Sequence, residues 1–421
     1  MKKTLATAIA ALLASGVANA EQQTLPELGS NSGNAFNPAI SVILDAGYYH
    51  DKGDEPWHEA IAELPGFALG HSHGDDHDHG HGPEDGFNLF HAEVIFSASV
   101  DNLFDAVLNL GIDEDGVEIE EAYGLTRNLP GGLQLKMGKF FSGIGYLNSQ
   151  HSHEWDFADQ ALPYRLMFGD HGLNEKGLQL TWTAPTDNYL LLGAEILQGE
   201  NEKLIDYKLS GNEYGVGSES KGSGPRLLTA FTKFSPDMGH DHALQIGFSG
   251  GQSRISKEVH GSRVYEGKPW FIGTDWVYKY DAGGHLGHGS LTIQAEYIRR
   301  VFERKVVATT ELASGRMGEV KKDTQDAMYI QGVYGIAPRW RAGLRYELAG
   351  MTNEHIDNGV TEKHDSSNRI TANLTWQPTE FSKLRLQASQ SRLALEDGKE
   401  NFRQVYLQYQ LALGAHGAHR F

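Results

Sequence analysis

The sequence contains no cysteine, and this absence bears on the kind of fold to expect. Large exported soluble proteins often rely on disulfides, whereas a β-barrel closes its own backbone hydrogen-bond network and needs none. Without thiolates, a structural zinc site of the cysteine type is also excluded. The H-E-x-x-H and P-loop patterns are missing as well, and abundant Asp, Glu, His and Ser make chance triads common, so we expect no enzyme.

Long apolar runs are equally scarce. After the first 20 residues, no run approaches the roughly 20 apolar residues that a transmembrane helix requires, and helical periodicity is weak throughout. The formal net charge is −19, which argues against nucleic acid as a partner and favours cations near the surface. The mean hydropathy is −0.43, but a membrane barrel carries its apolar signal in alternation rather than in its average.

The N-terminus has the form of an export signal. Lys2 and Lys3 precede a small apolar stretch, and Ala18-Asn19-Ala20 supplies a small-residue cleavage pattern. We therefore expect a signal peptide at 1–20, because the apolar stretch is too short for a membrane anchor. A periplasmic N-terminal segment at 21–38 would follow.

What the sequence does contain is period-two alternation, recurring almost to the last residue. Three segments show it best, each with an apolar set on one parity and a polar set on the other: 291–297, 340–348 and 370–376. In the second, Leu344 and Tyr346 oppose Arg345 and Glu347. Such alternation suits a strand with one face toward lipid and one toward a wet lumen.

Connector lengths alternate too. Short turns occur at 101–102, 130–132, 185–188, 337–339 and 378–380. Longer polar stretches occur at 50–86, 143–176, 200–224, 252–268, 304–323, 352–367 and 392–400. Short turns on one side and long loops on the other are typical of bacterial outer-membrane barrels. The sequence thus predicts an all-β fold: a single transmembrane antiparallel β-barrel of about 16 strands over 39–421, with short periplasmic turns and long extracellular loops.

The last segment adds independent support. Val405, Leu407 and Tyr409 share one parity with terminal Phe421. A final amphipathic strand ending in Phe resembles the signal that the bacterial barrel-assembly machinery reads, so that machinery and outer-membrane lipid are expected partners. A soluble sandwich or solenoid is the alternative, but a sandwich of this length would normally split into domains, and no interdomain linker is evident.

A histidine-rich tract lies in the first long connector, within 50–86. Neutral imidazole binds zinc, copper and nickel, and carboxylates can complete the coordination shell. We expect Zn²⁺, Cu²⁺ or Ni²⁺ to bind this tract, with no resident cofactor required; a solvated loop that binds metal only incidentally is the alternative. The candidate ligands are His71, His73, Asp75, Asp76, His77, Asp78, His79 and His81.

The third long connector, 143–176, holds the second group of candidates. In porins this connector often folds inward and narrows the barrel, and its charges could set a field across a constriction, with acids attracting cations and Arg165 opposing them. A metal site that includes His151 and His153 is one alternative, and a packed loop with internally paired charges is another. The candidate constriction residues are His151, His153, Glu154, Asp156, Asp159 and Arg165.

The chain resembles a proteobacterial outer-membrane family often labelled zinc-regulated, TonB-dependent outer-membrane receptor. The segments that carry the resemblance are 37–41, 66–67, 118–123, 140–165 and 416–421. It implies a bacterial outer-membrane location and a link to zinc supply. Receptors that use TonB are larger, with roughly 22 strands and a plug that 21–38 is too short to form. In size the chain resembles phosphate-selective porins, although their basic ladder is not evident here.

Two function hypotheses follow. The first is a porin-like channel for small solutes, metal ions such as zinc among them, and the second is a surface zinc-binding receptor. Many 16-strand porins are trimers, so the resemblance implies a homotrimer.

Overall fold

The computed structural model describes residues 38–67, 82–113, 116–201, 203–205, 224–254, 256–260, 263–309 and 317–414, with the backbone alone at 256–260 and 308–309. The expected signal peptide, the segment before Pro38, the histidine-rich tract at 71–81 and Phe421 lie outside the described residues, and the expectations for them stay predictions. No helix in the described part of the chain is long and apolar enough to span a bilayer.

The described chain forms a 20-stranded antiparallel sheet, in which 16 strands close into a barrel. The strands are β1 (Ala39–Lys52), β2 (Gly86–Ser99), β3 (Phe104–Ile112), β4 (Val117–Thr126), β5 (Leu133–Phe141), β6 (Asn174–Thr183), β7 (Tyr189–Leu197), β8 (Leu227–Ser235), β9 (His242–Ser253), β10 (Ser256–His260), β11 (Arg263–Gly267), β12 (Trp270–Tyr280), β13 (Leu291–Thr309), β14 (Val320–Ala337), β15 (Trp340–Ala349), β16 (Glu354–Asp357), β17 (Val360–Lys363), β18 (Ser367–Thr379), β19 (Ser382–Leu395) and β20 (Gly398–Gly414). Closure comes from the pairing of β1 with β20, where Leu44 lies opposite Leu411. The predicted strand number is therefore confirmed, and the first described strand begins at Ala39.

The two faces of the barrel wall follow the predicted alternation. On β15, Leu344 and Tyr346 are exposed, whereas Arg345 and Glu347 are buried on the lumen side. On β20, Leu407 is 44% exposed and its neighbour Gln408 only 3%. Since a lipid-facing wall must present apolar side chains, this outer belt fits the hydrocarbon layer of a membrane.

Two of the predicted long connectors contain strands of their own. The hairpin β10–β11 lies between β9 and β12, and β11 pairs with β13. The hairpin β16–β17 lies between β15 and β18, and β16 pairs with β14. β11 and β16 pair with the parts of β13 and β14 that extend beyond the neighbouring wall strands. The hairpins therefore lengthen the wall on the side of the long connectors.

The lumen is not uniformly wet. Helix α1 (Trp57–Ala62) of the first connector and helix α2 (Leu162–Phe168) of the third connector both contribute to one buried apolar cluster inside the barrel. Proline occupies the first turn of α2, where a missing N–H is tolerated, and Gly169 with φ of 84° ends the helix. The sequence predicted polar outer loops, and the apolar residues within them instead form a dry core.

Candidate functional site in the barrel lumen

The third connector, 142–173, crosses the lumen from one wall to the other. It leaves the wall between β5 and β6, and its helix α2 packs against β13, β14 and β15, on the far side of the barrel. The inward folding predicted for this connector is therefore seen. It brings charged and aromatic side chains of the connector against the polar inner faces of many strands.

Carboxylates on the wall hold the connector by its backbone. Glu195 on β7 accepts a hydrogen bond from the N–H of Gly143 at 2.9 Å. Glu296 on β13 accepts from the N–H groups of Tyr146 and Leu147, at 2.8 and 2.9 Å. On β15, Glu347 accepts from the N–H of Leu162 at 2.8 Å. Backbone donors that would otherwise be buried without partners are satisfied in this way, which fixes the path of the connector.

Basic and amide side chains hold the connector from another part of the wall. On β19, Lys383 donates to the carbonyl of His153 and Arg385 to that of Trp155, each at 2.8 Å. Asn373 on β18 donates to the carbonyl of Asp156, also at 2.8 Å. The stretch 153–156 is thus bound to the basic inner face of β18 and β19 through its carbonyl oxygens.

Asp159 is a buried anchor rather than a water-exposed pore residue. Its carboxylate accepts hydrogen bonds from Arg345 at 2.7 Å and from Gln387 at 2.8 Å, and it also pairs with Arg369. Burial alone would raise the pKa of Asp159, but the guanidinium groups of Arg369 and Arg345 hold it well below its ordinary value. The packed-loop alternative describes this residue best.

Two other candidates are engaged within the outer connectors. Arg165 forms an ion pair with Asp170 at 3.1 Å, and its guanidinium lies 5.1 Å from the ring centre of Trp57. Glu154 accepts a hydrogen bond from the backbone N–H of His151 at 3.2 Å. The positive charges that face Asp156 and Asp159 therefore come from the wall, whereas Arg165 pairs with Asp170 of its own connector.

His151 and His153 meet carboxylates of the wall instead of the neighbouring Glu154 or Asp156. Their rings stack with centroids 5.6 Å apart. The Nε2 of His151 lies 2.9 Å from Glu121, and the Nδ1 of His153 lies 2.9 Å from Glu93. Burial by itself would lower the pKa of His151, but hydrogen bonds to Glu120 and Glu121 raise it well above its ordinary value.

One more histidine completes this group, which we call the histidine–glutamate cluster: His91, Glu93, Glu120, Glu121, His151 and His153. The Nε2 of His91 lies 3.0 Å from Glu120 and 3.4 Å from Glu93. Asn109 lies on β3, the strand between β2 and β4, and its amide donates to Glu93 and Glu120 at 2.9 and 3.1 Å. Among the described residues, His91, Glu93 and Glu120 form a set whose donor atoms all lie within 4.8 Å of one another.

A β-bulge explains why two consecutive carboxylates face the lumen. The pairing of β3 with β4 shifts between Asn109 and Leu110, so Asn109 lies opposite Glu121 and Leu110 opposite Ile119. Glu120 is the extra residue, and both it and Glu121 are buried. Strict alternation would put only one of them inside, which is why the sequence pattern did not single out this pair.

The longest half-buried stretch of the connector runs from Ser149 to Asp156. On one side it borders the histidine–glutamate cluster, and on the other it borders Lys383 and Arg385, which interact electrostatically with Asp156. Phe157 and Tyr164 are buried and fill space beside it. Acidic groups of the wall therefore flank this stretch on one side and basic groups on the other.

Comparison with solved structures gives the class of protein that this fold and lumen define. The outer-membrane channel DcaP of Acinetobacter baumannii matches with a TM-score of 0.52 and 14% identity, covering 90% of this chain and 96% of that one. An anion-selective porin from Comamonas acidovorans matches with a TM-score of 0.52 and 9% identity, covering 89% and 99%. At such identities the likeness shows the fold alone. The fold is that of outer-membrane porins, and together with the apolar outer belt it places the protein in the outer membrane.

Sequence comparison gives the family. An uncharacterized protein of Aquifex aeolicus (strain VF5) is 38% identical over 401 residues, which cover 93% of this chain and 81% of that protein. The chain belongs to the same family as that protein. No family model matches. These comparisons support the porin-like interpretation, and they do not support the label of a zinc-regulated, TonB-dependent receptor.

Proposed function

We propose that this protein is a porin-like channel through which small solutes, including metal ions such as zinc, diffuse across the outer membrane. The observation that carries the proposal is the third connector, which crosses the lumen and leaves His151 to Asp156 half-covered between acidic and basic walls. Charges in that position act on any ion that passes, because a narrow pore with little water screens them weakly.

Catalysis is not part of the proposal. The segment Gly247–Gly251 does read G-x-S-x-G, the pattern of a nucleophile elbow. That elbow requires a sharp turn from a strand into a helix. Ser249 instead lies inside the regular strand β9, paired with Gly273 of β12. The pattern therefore has none of the geometry that its chemistry needs.

The direct test is current through the purified protein in a planar bilayer. Stable open conductance is the expected result, and a folded barrel that carries no current in the absence of metal would contradict the channel and favour the surface receptor. Size and cross-linking of the purified protein would test the homotrimer, which we retain as a proposal.

A measurement of ion selectivity tests whether the third connector forms a constriction in the pore. We expect D156K to lower the ratio of cation to anion permeability, read from the reversal potential in a salt gradient, because the substitution adds positive charge beside Lys383 and Arg385. The matched control is D187K, in the exposed turn before β7, which should leave the reversal potential unchanged. Equal shifts from both variants would show that surface charge alone sets the selectivity.

A further inference from the structure

We propose that the histidine–glutamate cluster is a binding site in the lumen for one divalent first-row transition-metal ion, with Zn²⁺ as the probe. The ligands we assign are His91, Glu93, Glu120 and His151. Three of them belong to strands β2 and β4 of the wall, and the fourth to the third connector. A bound ion would thus join the connector to the wall beside the constriction.

The distances among these groups fit one coordination shell. The Nε2 of His91 lies 3.0 and 3.4 Å from Glu120 and Glu93. The Nδ1 of His151 lies 3.4 and 3.5 Å from the other oxygens of the same two carboxylates. Zinc bonds of roughly 2.0 to 2.2 Å in a tetrahedron put neighbouring ligand atoms about 3.4 Å apart. The two histidines therefore contact the same two carboxylates through different oxygens. The ligand atoms of His91, Glu93 and Glu120 lie within 4.8 Å of one another, and His151 reaches the same carboxylates from the connector.

The surroundings of these ligands resemble the outer shell of known metal sites. A metal-binding histidine commonly donates its second ring nitrogen to a carboxylate, which fixes the orientation of the ring. His151 has that arrangement, since its Nε2 lies 2.9 Å from Glu121 while its Nδ1 lies 3.4 and 3.5 Å from Glu120 and Glu93. His153 and Asn109 in turn bind the carboxylates of the ligands, at 2.9 Å each from Glu93.

A second, independent observation comes from Asn109. Asn109 is 1% exposed, its amide nitrogen contacts Glu93, Glu120 and the Nδ1 of His151, and its amide oxygen has no hydrogen-bond partner among the described residues. Buried polar atoms normally have hydrogen-bond partners, so the unpartnered amide oxygen of Asn109 requires an explanation. A cation between the carboxylates supplies one, because the amide group can then turn its oxygen toward the ion.

Charge also favours a cation. Glu93, Glu120 and Glu121 bury three carboxylates in one small volume, and grouped buried anions are costly unless positive charge, from histidine protons or from a metal ion that replaces them, accompanies them. The mixture of imidazole nitrogen and carboxylate oxygen suits Zn²⁺ and its first-row neighbours better than Mg²⁺ or Ca²⁺, which prefer shells made of oxygen alone. The side chain of His91 is 21% exposed, so the site is open to water in the lumen.

The experiment is calorimetric titration of the full-length folded barrel in detergent with Zn²⁺. Since the tract at 71–81 also carries histidines, the background protein has each of them changed to asparagine: His71, His73, His77, His79 and His81. We expect this background to bind one Zn²⁺ with roughly micromolar affinity or better, Mg²⁺ far more weakly, and Co²⁺ with the visible absorption of a tetrahedral site. The variants H91N and E120Q should each weaken Zn²⁺ binding about tenfold or more.

The matched control is H171N, a histidine on the same side of the barrel that is 68% exposed beside Glu118 and should bind Zn²⁺ as the background does. His151 lies in the connector rather than in a wall strand, so the variant H151N tests the loss of a ligand without altering the wall. Gel mobility before and after heating verifies that each variant is folded. A background protein that binds Zn²⁺ no more tightly than millimolar, or binding that H91N, E120Q and H151N all leave unchanged, would overturn the site.

The effect of the ion on current rests on the proposed function, whereas the binding itself does not. If the protein conducts, Zn²⁺ should reduce the current of the background protein and leave that of its H91N variant unchanged. Conductance without Zn²⁺ binding removes the site and leaves the channel. Zn²⁺ binding without conductance removes the channel and leaves the site.

Discussion

The carboxylate of Asp159 lies 2.7 Å from the guanidinium of Arg345, in a lumen where both side chains are almost wholly buried. The residues are 186 positions apart in the chain, and the pair joins the third connector to strand β15. Because neither charge reaches water, each depends on the other for its solvation. This contact, together with the carboxylates that bind the backbone of the connector, makes the connector a fixed part of the lumen.

Removing that anchor should loosen the connector and destabilise the barrel. D159A removes one of the two carboxylates, Asp159 and Glu347, that the buried Arg345 and Arg369 share, and breaking a buried pair costs about 3 to 5 kcal/mol. We expect a lower unfolding temperature and noisier single-channel current. D170A removes a partly exposed ion pair with Arg165 and should change stability by about 1 kcal/mol or less. Equal effects of the two variants would contradict an anchoring role for Asp159.

The stabilisation that Asp159 provides should persist into mildly acidic solution. The pKa of Asp159 is held below its ordinary value of about 3.9 by Arg369 and Arg345. A carboxyl with a lowered folded pKa adds stability that is present above its unfolded pKa and is lost as the pH falls through the folded one. The difference in unfolding temperature between the wild type and D159N should therefore stay constant from about pH 5 to 7 and shrink only below about pH 4. If this difference already shrinks at pH 6, a group other than Asp159 causes the pH dependence.

Glu296 should stabilise the beginning of the connector. Its oxygens accept the N–H groups of Tyr146 and Leu147, and E296Q would place an amide donor against those donors. The cost of such a mismatch is about 1 to 3 kcal/mol, and we expect faster cleavage of the connector by proteases added to the folded protein. E362Q, in the exposed hairpin strand β17, should be cleaved like the wild type. Unchanged cleavage of E296Q would show that the connector does not depend on this contact.

A charge introduced on the outer face should destabilise the barrel by an amount that depends on its depth in the bilayer. Leu407 lies in the middle of β20 and Leu413 near its end, and both are exposed on the apolar belt. An arginine at the bilayer midplane costs about 2 to 4 kcal/mol, and near the interface about 0 to 1. We therefore expect L407R to destabilise the barrel in lipid more than L413R. The reverse order, or equal losses, would contradict the membrane position that we assign.

Much of the wall could be predicted from the sequence because lipid and lumen select opposite residue types on alternate positions. Leu344 and Arg345 on β15, or Leu407 and Gln408 on β20, show the rule in adjacent residues. The count of strands followed from it, since each alternating run ends at a turn or a polar connector. The sequence does not reveal the hairpins β10–β11 and β16–β17, because short strands beyond the membrane have no lipid to impose alternation.

The lumen was harder to predict because its contacts join distant parts of the chain. The inward fold of the third connector could be expected by analogy with porins, and His151 could be identified as a candidate from local composition. The contact of His151 with Glu120 could not, because it depends on a bulge in β4 and on the path of the connector across the barrel. Nor did local pattern show that Asp159 would meet Arg345, or that Trp57 would join a dry core.

The most direct test of the account is chemical access to Asp156 in the open channel. The chain has no cysteine, so D156C carries the single reactive thiol, and L374C on the exposed outer face of β18 is its matched control. We predict that a charged, water-soluble thiol reagent reduces the current of D156C in steps and leaves the current of L374C unchanged. Modification of D156C that does not alter the current would show that the third connector does not line the path of ions.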